Sequence, residues 1–216
     1  MLPALDDNEV RILGSLIEKS IVTPDLYPLT LNALTNACNQ KSARNPVMSL
    51  QPGEVQHAIR VLEAKHLVRT EENFKSRAEK YAQRFCNTRY SDLHFDPAEL
   101  AVVCLLMLRG PQTPGELRSR SGRLHEFGDN AAVVETLKSL AQRDAEPLVI
   151  ELPRTPGRKD PEYMHLFAGP VDIKAYQSQA QSAKAASPTS RVSVADLADR
   201  LDRLEAEVAE LKNRLR

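Results

Sequence analysis

Leu5-Asp6-Asp7-Asn8-Glu9-Val10 and, ninety residues further on, Phe95-Asp96-Pro97-Ala98-Glu99-Leu100 are two versions of one device. In each, an aspartate can accept a hydrogen bond from the free amides of a new helix, and a glutamate three residues later can reach back to it. Leu5 and Val10 are placed to staple the first entry, and Pro97 suits the first helical position of the second. Apolar residues follow at helical spacing: Val10, Leu13, Leu16 and Ile17 in one, Leu100, Val103, Leu106 and Met107 in the other. Thr23-Pro24 and Thr113-Pro114 keep the same offset. Three matches at one spacing point to two copies of one supersecondary unit.

The rest of each copy can be read outward from that anchor. A second helix runs from Leu31 to about Cys38 in copy one; in copy two Thr113-Pro114-Gly115-Glu116 is a capping box that opens its counterpart. A third helix carries Val55, Ile59 and Leu62, matched by Val133, Leu137 and Leu140 at an offset of 78. Copy one therefore holds about 12 extra residues between its second and third helices, in the stretch Gln40 to Leu50. The period then changes to that of strands. Leu67–Thr70 with Tyr81–Cys86, and Leu148–Leu152 with Tyr163–Phe167 around a Pro-, Gly- and Arg-bearing tip, each predict a β-hairpin.

Three helices followed by a hairpin make a winged helix. The predicted fold is α+β and mainly helical: tandem winged-helix domains over 1–92 and 93–170, each burying a modest core of its own. Residues 171–192, rich in Ala, Gln, Ser and Lys, read as a linker. From 193 to 216, Val194, Leu197, Leu201, Leu204, Val208, Leu211 and Leu215 keep strict 3-4 spacing, the seam of a coiled coil that would make a homodimer. In a parallel pair, Arg200 would meet Glu205 and Glu207 would meet Lys212. A helix packed onto its own domain is the alternative, since three heptads are short.

Composition narrows the partners. The 29 basic and 29 acidic residues cancel, so the chain lacks the overall positive charge that usually accompanies nucleic-acid binding. The longest apolar run, Leu100 to Leu108, is too short to span a bilayer, and the acidic start does not resemble a secretory signal. Three well-separated cysteines, Cys38, Cys86 and Cys104, do not form a disulfide framework, which points to the cytoplasm. Scattered histidines and cysteines give no metal site, no cofactor is implied, and no nucleophile elbow or Gly-rich phosphate loop is present. The expectation is a binding protein and not an enzyme.

Several long strings carry a family resemblance. Thr23-Pro24 with Tyr27-Pro28-Leu29, Ala37-Cys38-Asn39-Gln40-Lys41, Pro46-Val47-Met48 and Gln83-Arg84-Phe85-Cys86-Asn87 resemble the YceH-like family of bacterial proteins of uncharacterised function. So do Leu108-Arg109-Gly110, Gln112 through Arg120, and Tyr163-Met164-His165-Leu166-Phe167. The likeness covers Leu5 to about Gly169; it implies a tandem winged-helix fold and no particular reaction.

Charge has to be judged locally for DNA. The third helix of copy one, Gln51 to His66, balances Arg60 and Lys65 against Glu54 and Glu63; that of copy two, Glu126 to Asp144, holds two basic and four acidic residues. Neither resembles a basic recognition helix. Basic side chains lie elsewhere: Lys41 and Arg44 after the second helix of copy one; Lys75, Arg77, Lys80 and Arg84 around its wing. In copy two, Arg118, Arg120 and Arg123 lie at and after the second helix, and Arg154, Arg158 and Lys159 on the wing. These are the candidate contacts to double-stranded DNA phosphates, with solvated surface charge as the alternative reading. The polar run Asn39 to Asn45 offers donors to a phosphate or base edge, the alternative being a loop in which Asn39 caps the second helix and Val47 and Met48 pack inward. Arg118 and Arg120 sit on an exposed turn, the alternative being a capped helix in which Glu116 pairs with Arg120. The leading expectation is a dimeric DNA-binding regulator; the rival is a scaffold that binds a partner protein.

Overall fold

In the computed structural model, which describes residues 2–73, 76–143, 146–154, 159–173 and 176, with side chains 72–78 excepted, both predicted caps are made. Asp6 Oδ1 accepts from the Glu9 N–H and Glu9 Oε2 from the Asp6 N–H, both at 2.8 Å; Asp96 and Glu99 repeat the exchange at 2.8 and 3.3 Å. They open α1 (Asp7–Val22) and, after α2 (Leu31–Cys38) and α3 (Pro52–Ala64), α4 (Pro97–Arg109). The second copy continues with α5 (Pro114–Arg120) and α6 (Asn130–Ala141). Two short sheets complete the described residues, which are α+β and mainly helical.

In copy one β1 (Leu29–Thr30), β2 (Val68–Asn73) and β3 (Ser76–Gln83) form an antiparallel sheet in the order β1-β3-β2, with Thr70 opposite Tyr81 and a bulge between Glu71 and Asn73. Copy two has β4 (Val149–Glu151) and β5 (Tyr163–His165), with Val149 opposite His165. The order helix-helix-helix-hairpin thus occurs twice. β3 stops at Gln83, short of the expected Cys86, because the Gln83 side-chain amide bonds both the N–H and the C=O of Cys86, leaving Cys86 to bridge Leu93.

The Thr-Pro pairs diverge. Thr113 caps α5 in a reciprocal exchange with Glu116, whereas Thr23-Pro24 opens only a 3-10 turn, Pro24–Leu26. Tyr27-Pro28 follows there, and a proline neither donates an N–H nor lets its predecessor stay helical. Thr30 caps α2 instead, accepting from Ala33 at 3.4 Å.

The hydrophobic interior departs from the expectation of two modest cores. A contiguous cluster runs from Leu5 to Phe167, inside the one compact unit Met1–Ile173. α1 is buried at every position from Glu9 to Ile17 and α4 from Ala101 to Leu108, as helices sandwiched on both sides must be. They cross at Gly14, where a Cβ would stand 2.9 Å from Leu108 Cδ2 and 3.2 Å from Met107 Cβ. A methyl group there would force Leu108 and Met107 to give way. Backbone bonds Leu5 N–H to Phe167 O (2.9 Å) and Asn45 N–H to Leu108 O (3.0 Å) tie the copies further, and Phe85 meets Phe167 edge to face at 4.9 Å.

The insertion in copy one is held from inside. Asn39 clamps Leu50, accepting from its N–H and donating to its C=O, both at 2.8 Å. Arg11, buried in α1, donates to Cys38 O (3.1 Å) and Pro46 O (2.7 Å). Leu50 fills the interior as a result, and Val47, expected inward, stays 55% exposed. The linker over 171–192, apart from residues 171–173 and 176, and the heptad residues Val194 to Leu215 lie outside the described residues.

Candidate functional site

Where α1, the insertion, the end of α4 and the turn after α5 come together, they enclose a cleft of about 800 Å³. α1 supplies Glu18 and Lys19, the insertion Lys41 and Ser42, α4 Arg109, α5 Ser119 and Arg120, and the turn after α5 Arg123. Each cation reaches this place for a local reason. Lys41 rides the loop pinned by Asn39 and Arg11. Arg109 occupies the last turn of α4, where a cation complements the helix dipole, before Gly110 turns the chain at φ +69°. Arg120 ends α5 and donates to Oε1 of Gln112 at 2.8 Å, and that buried amide donates in turn to Leu105 O at 3.1 Å.

Glu18 is the carboxylate among these lining residues, and it is already engaged. Arg44 grips it with two bonds, Nη1 to Oε1 at 3.1 Å and Nη2 to Oε2 at 2.6 Å, and Lys19 stands 3.5 Å away. Burial alone would raise the Glu18 pKa, but the Arg44 bonds and charge hold it below the ordinary carboxylate value. Arg44 was a sequence candidate for phosphate contact. Its side chain is instead 0% exposed, with Nε donating to Ala37 O at 3.0 Å, so it supports the cleft from behind.

Arg109 has the opposite situation. Its Nε is buried without a hydrogen-bond partner. Burial lowers its pKa, and the nearby charges of Arg120 and Arg44 lower it further, with Glu18 opposing. A guanidinium does not deprotonate at physiological pH, so the direction reports a positive field that is incompletely answered.

The other sequence candidates scatter. Arg118 is exposed on the far side of α5, donating to Gly128 O at 2.8 Å beside a separate depression that includes Glu126. Lys80 is half-buried on β3 opposite Glu71, and Arg84 lies 5.2 Å over the Tyr90 ring. Arg154 and Lys159 are exposed beside the second hairpin. Lys75, Arg158 and the side chain of Arg77 lie outside the described residues. Of the predicted set, the cleft unites Lys41, Arg120 and Arg123. Sequence reasoning missed Arg109 and Lys19, because a cation closing a helix reads as dipole complement.

The third helices carry little charge. α3 carries Glu54 and Glu63 against Arg60, and Lys65 at its C-cap restores the expected balance. α6 spans only Asn130–Ala141, shorter than the stretch from Glu126 to Asp144, because Asp129 caps it by accepting from Ala132 at 2.8 Å. It carries Glu135 against Lys138, so the acidic excess expected of it falls outside the helix. The cysteines are buried; burial pushes Cys38 up to about 11, Cys86 up to about 12, and Cys104 upward too. Thiols so shifted are poor nucleophiles at neutral pH. Among the described residues no group of three or more His, Cys, Asp or Glu is gathered to hold a metal, and no helix is long and apolar enough to cross a membrane.

Comparison with known proteins adds the setting. Residues 5–158 match the family model described as "Protein of unknown function, DUF480". The chain is 49% identical over 211 residues to a UPF0502 protein of Enterobacter sp. (strain 638), covering 98% of this chain and 94% of that one. It is 56% identical over 164 residues to a UPF0502 protein of Shewanella woodyi, covering 76% and 74%, and 52% identical over 172 residues to one of Vibrio vulnificus (strain YJ016), covering 80% and 78%.

Proposed function

The chain belongs to the DUF480 family, whose description states no activity, and we propose that it is a non-enzymatic, homodimeric DNA-binding protein, a transcriptional regulator built from two winged-helix modules. One observation carries the reading. Cations from both copies, Lys41 from the first and Arg120 and Arg123 from the second, share a cleft whose one lining carboxylate is already paired. Concave positive surfaces of this kind raise the local concentration of polyanions. Contacts to phosphate position a protein on a duplex without reading sequence, which agrees with the neutral surfaces of α3 and α6. Wing cations Lys80, Arg84, Arg154 and Lys159 would extend the contact. The heptad segment would pair two chains in the cytoplasm, doubling the phosphate contacts.

Those same neutral third helices favour a second reading, a scaffold that docks a partner protein. Salt separates the two. Each neutralised phosphate releases counterion, so duplex affinity should fall steeply and linearly on a log-log plot as salt rises. No affinity for duplex at low salt would end the DNA reading. Deleting residues 191–216 should halve the mass in light scattering, and an unchanged mass would remove the coiled-coil dimer.

A further inference from the structure

We propose that the cleft between the two copies is a phosphate-recognition pocket, with Arg109 as its inner cation and Lys41, Arg120 and Arg123 as its rim. The case begins with an imbalance. A buried guanidinium nitrogen normally finds an acceptor, and leaving one without is unfavourable, the more so because the group is charged. Arg109 Nε has none. The carboxylate within reach, Glu18, is consumed by the bidentate bond from Arg44 and the approach of Lys19. Arg120 is partly answered by Glu116 at 3.5 Å, but Lys41 and Arg123 stand exposed on the same rim. The cleft thus holds more positive charge than its own carboxylates offset.

The chemistry of the donors selects the ligand. A carboxylate offers one charge and a planar pair of oxygens, which a single arginine fork satisfies. Here the donors come from several directions: guanidiniums from α4, α5 and the following turn, an ammonium from the insertion, and the hydroxyl of Ser42. A tetrahedral oxyanion can accept from all of them. At about 800 Å³ the space exceeds a bare ion, so the phosphate would enter with the sugar or ester that carries it. Gln112 helps by fixing Arg120, since its side chain is fully buried and bonded at both ends. The bearer of the phosphate, a duplex backbone, rests on the DNA reading above; recognition of the group itself does not.

Inorganic phosphate, compared with chloride at equal ionic strength, is the probe, and thermal unfolding of the full chain is the readout. Phosphate should raise the midpoint of the native protein in a saturable way, because a ligand of the folded state alone stabilises it. Arg109→Met should weaken phosphate by about tenfold, the loss of one charge-assisted hydrogen bond. Arg123→Met, at an exposed position that does not endanger folding, should weaken it by a similar factor. Equal midpoints in phosphate and chloride would overturn the proposal, as would undiminished phosphate binding in both variants. If phosphate fails while duplex still binds with a steep salt slope, the pocket is refuted and the DNA reading survives. If phosphate binds through Arg109 while duplex does not bind at all, the pocket stands and its natural ligand is a small phosphate ester.

Discussion

The two copies solve the same problem, joining a second helix to a third, with different physics. In copy one the connection from Asn39 to Gln51 is held by internal charge and amide bonds: Arg44 on Glu18, Arg11 on Cys38 O and Pro46 O, Asn39 on Leu50. In copy two the connection from Ser121 to Asp129 closes on itself, with Leu124 and His125 N–H groups bonded to Ser121 O and Phe127 buried edge-on to His125 at 4.7 Å. The first solution buries Arg44 and sets Lys41 at the seam between copies, whereas the second buries no cation and brings Arg123 to the same cleft on an exposed turn. The cleft is the product of that asymmetry.

The largest expected effect tests the internal charges. Arg44→Met would leave the mostly buried Glu18 carboxylate without its partner, at a loss of about 3–5 kcal/mol. Adding Glu18→Gln should return most of it, because the penalty is the stranded charge. Urea midpoints at constant slope would check this; a loss near zero, or no recovery in the double variant, would contradict the buried pair.

The hairpins make the next contrast. Gln83 and His165 occupy one place in the pattern, opposite Val68 and Val149. Gln83 is bonded at both ends, whereas His165 is buried against Phe167 with Nδ1 unpartnered, and burial pushes its imidazole down to about 4. The unfolded chain, with an ordinary value near 6.5, binds the extra proton across that window. Stability from His165 is therefore complete above about pH 6.5 and lost as pH falls toward 4, by up to about 3 kcal/mol. His165→Leu should flatten this slope. Identical pH profiles would show that the imidazole is not buried neutral.

A smaller loss probes the shared interior. Gly14→Ala would gain helix propensity yet drive a methyl into Leu108 and Met107, for a net loss of about 1 kcal/mol. Gly53→Ala in α3 meets nothing within 4 Å and should not destabilise, so equal behaviour of the two would mean that α1 and α4 do not cross so closely. The smallest effect is Glu116→Gln, which keeps the cap of α5 and removes the ion pair to Arg120. It should cost no more than about 0.5 kcal/mol in urea unfolding, and a larger loss would make that pair a main support of Arg120.

Local signals were legible in the sequence. Asp6, Asp96 and Thr113 act within one turn of chain, so their spacing to Glu9, Glu99 and Glu116 was enough. Alternating apolar residues located both hairpins, although Gln83 ended a strand earlier than the pattern implied. The shared interior was not legible, because an amphipathic helix does not say which apolar surface it meets. Gly14, a single small residue in α1, decides that. Arg44 and Arg123 look alike as letters, yet one is internal and the other exposed, since only the fold brings Glu18 to Arg44. Arg109 was overlooked for the same reason.

The central claim is that cations from both copies act on one phosphate-bearing ligand. The slope of log affinity against log salt for a DNA duplex tests it directly, in the native chain, Lys41→Met, Arg123→Met and the double variant. Each single change removes one cation from each protomer and should reduce the slope of the dimer by about 1.8, and the double by about twice that. Slopes that do not change, or that respond to only one copy, would contradict it.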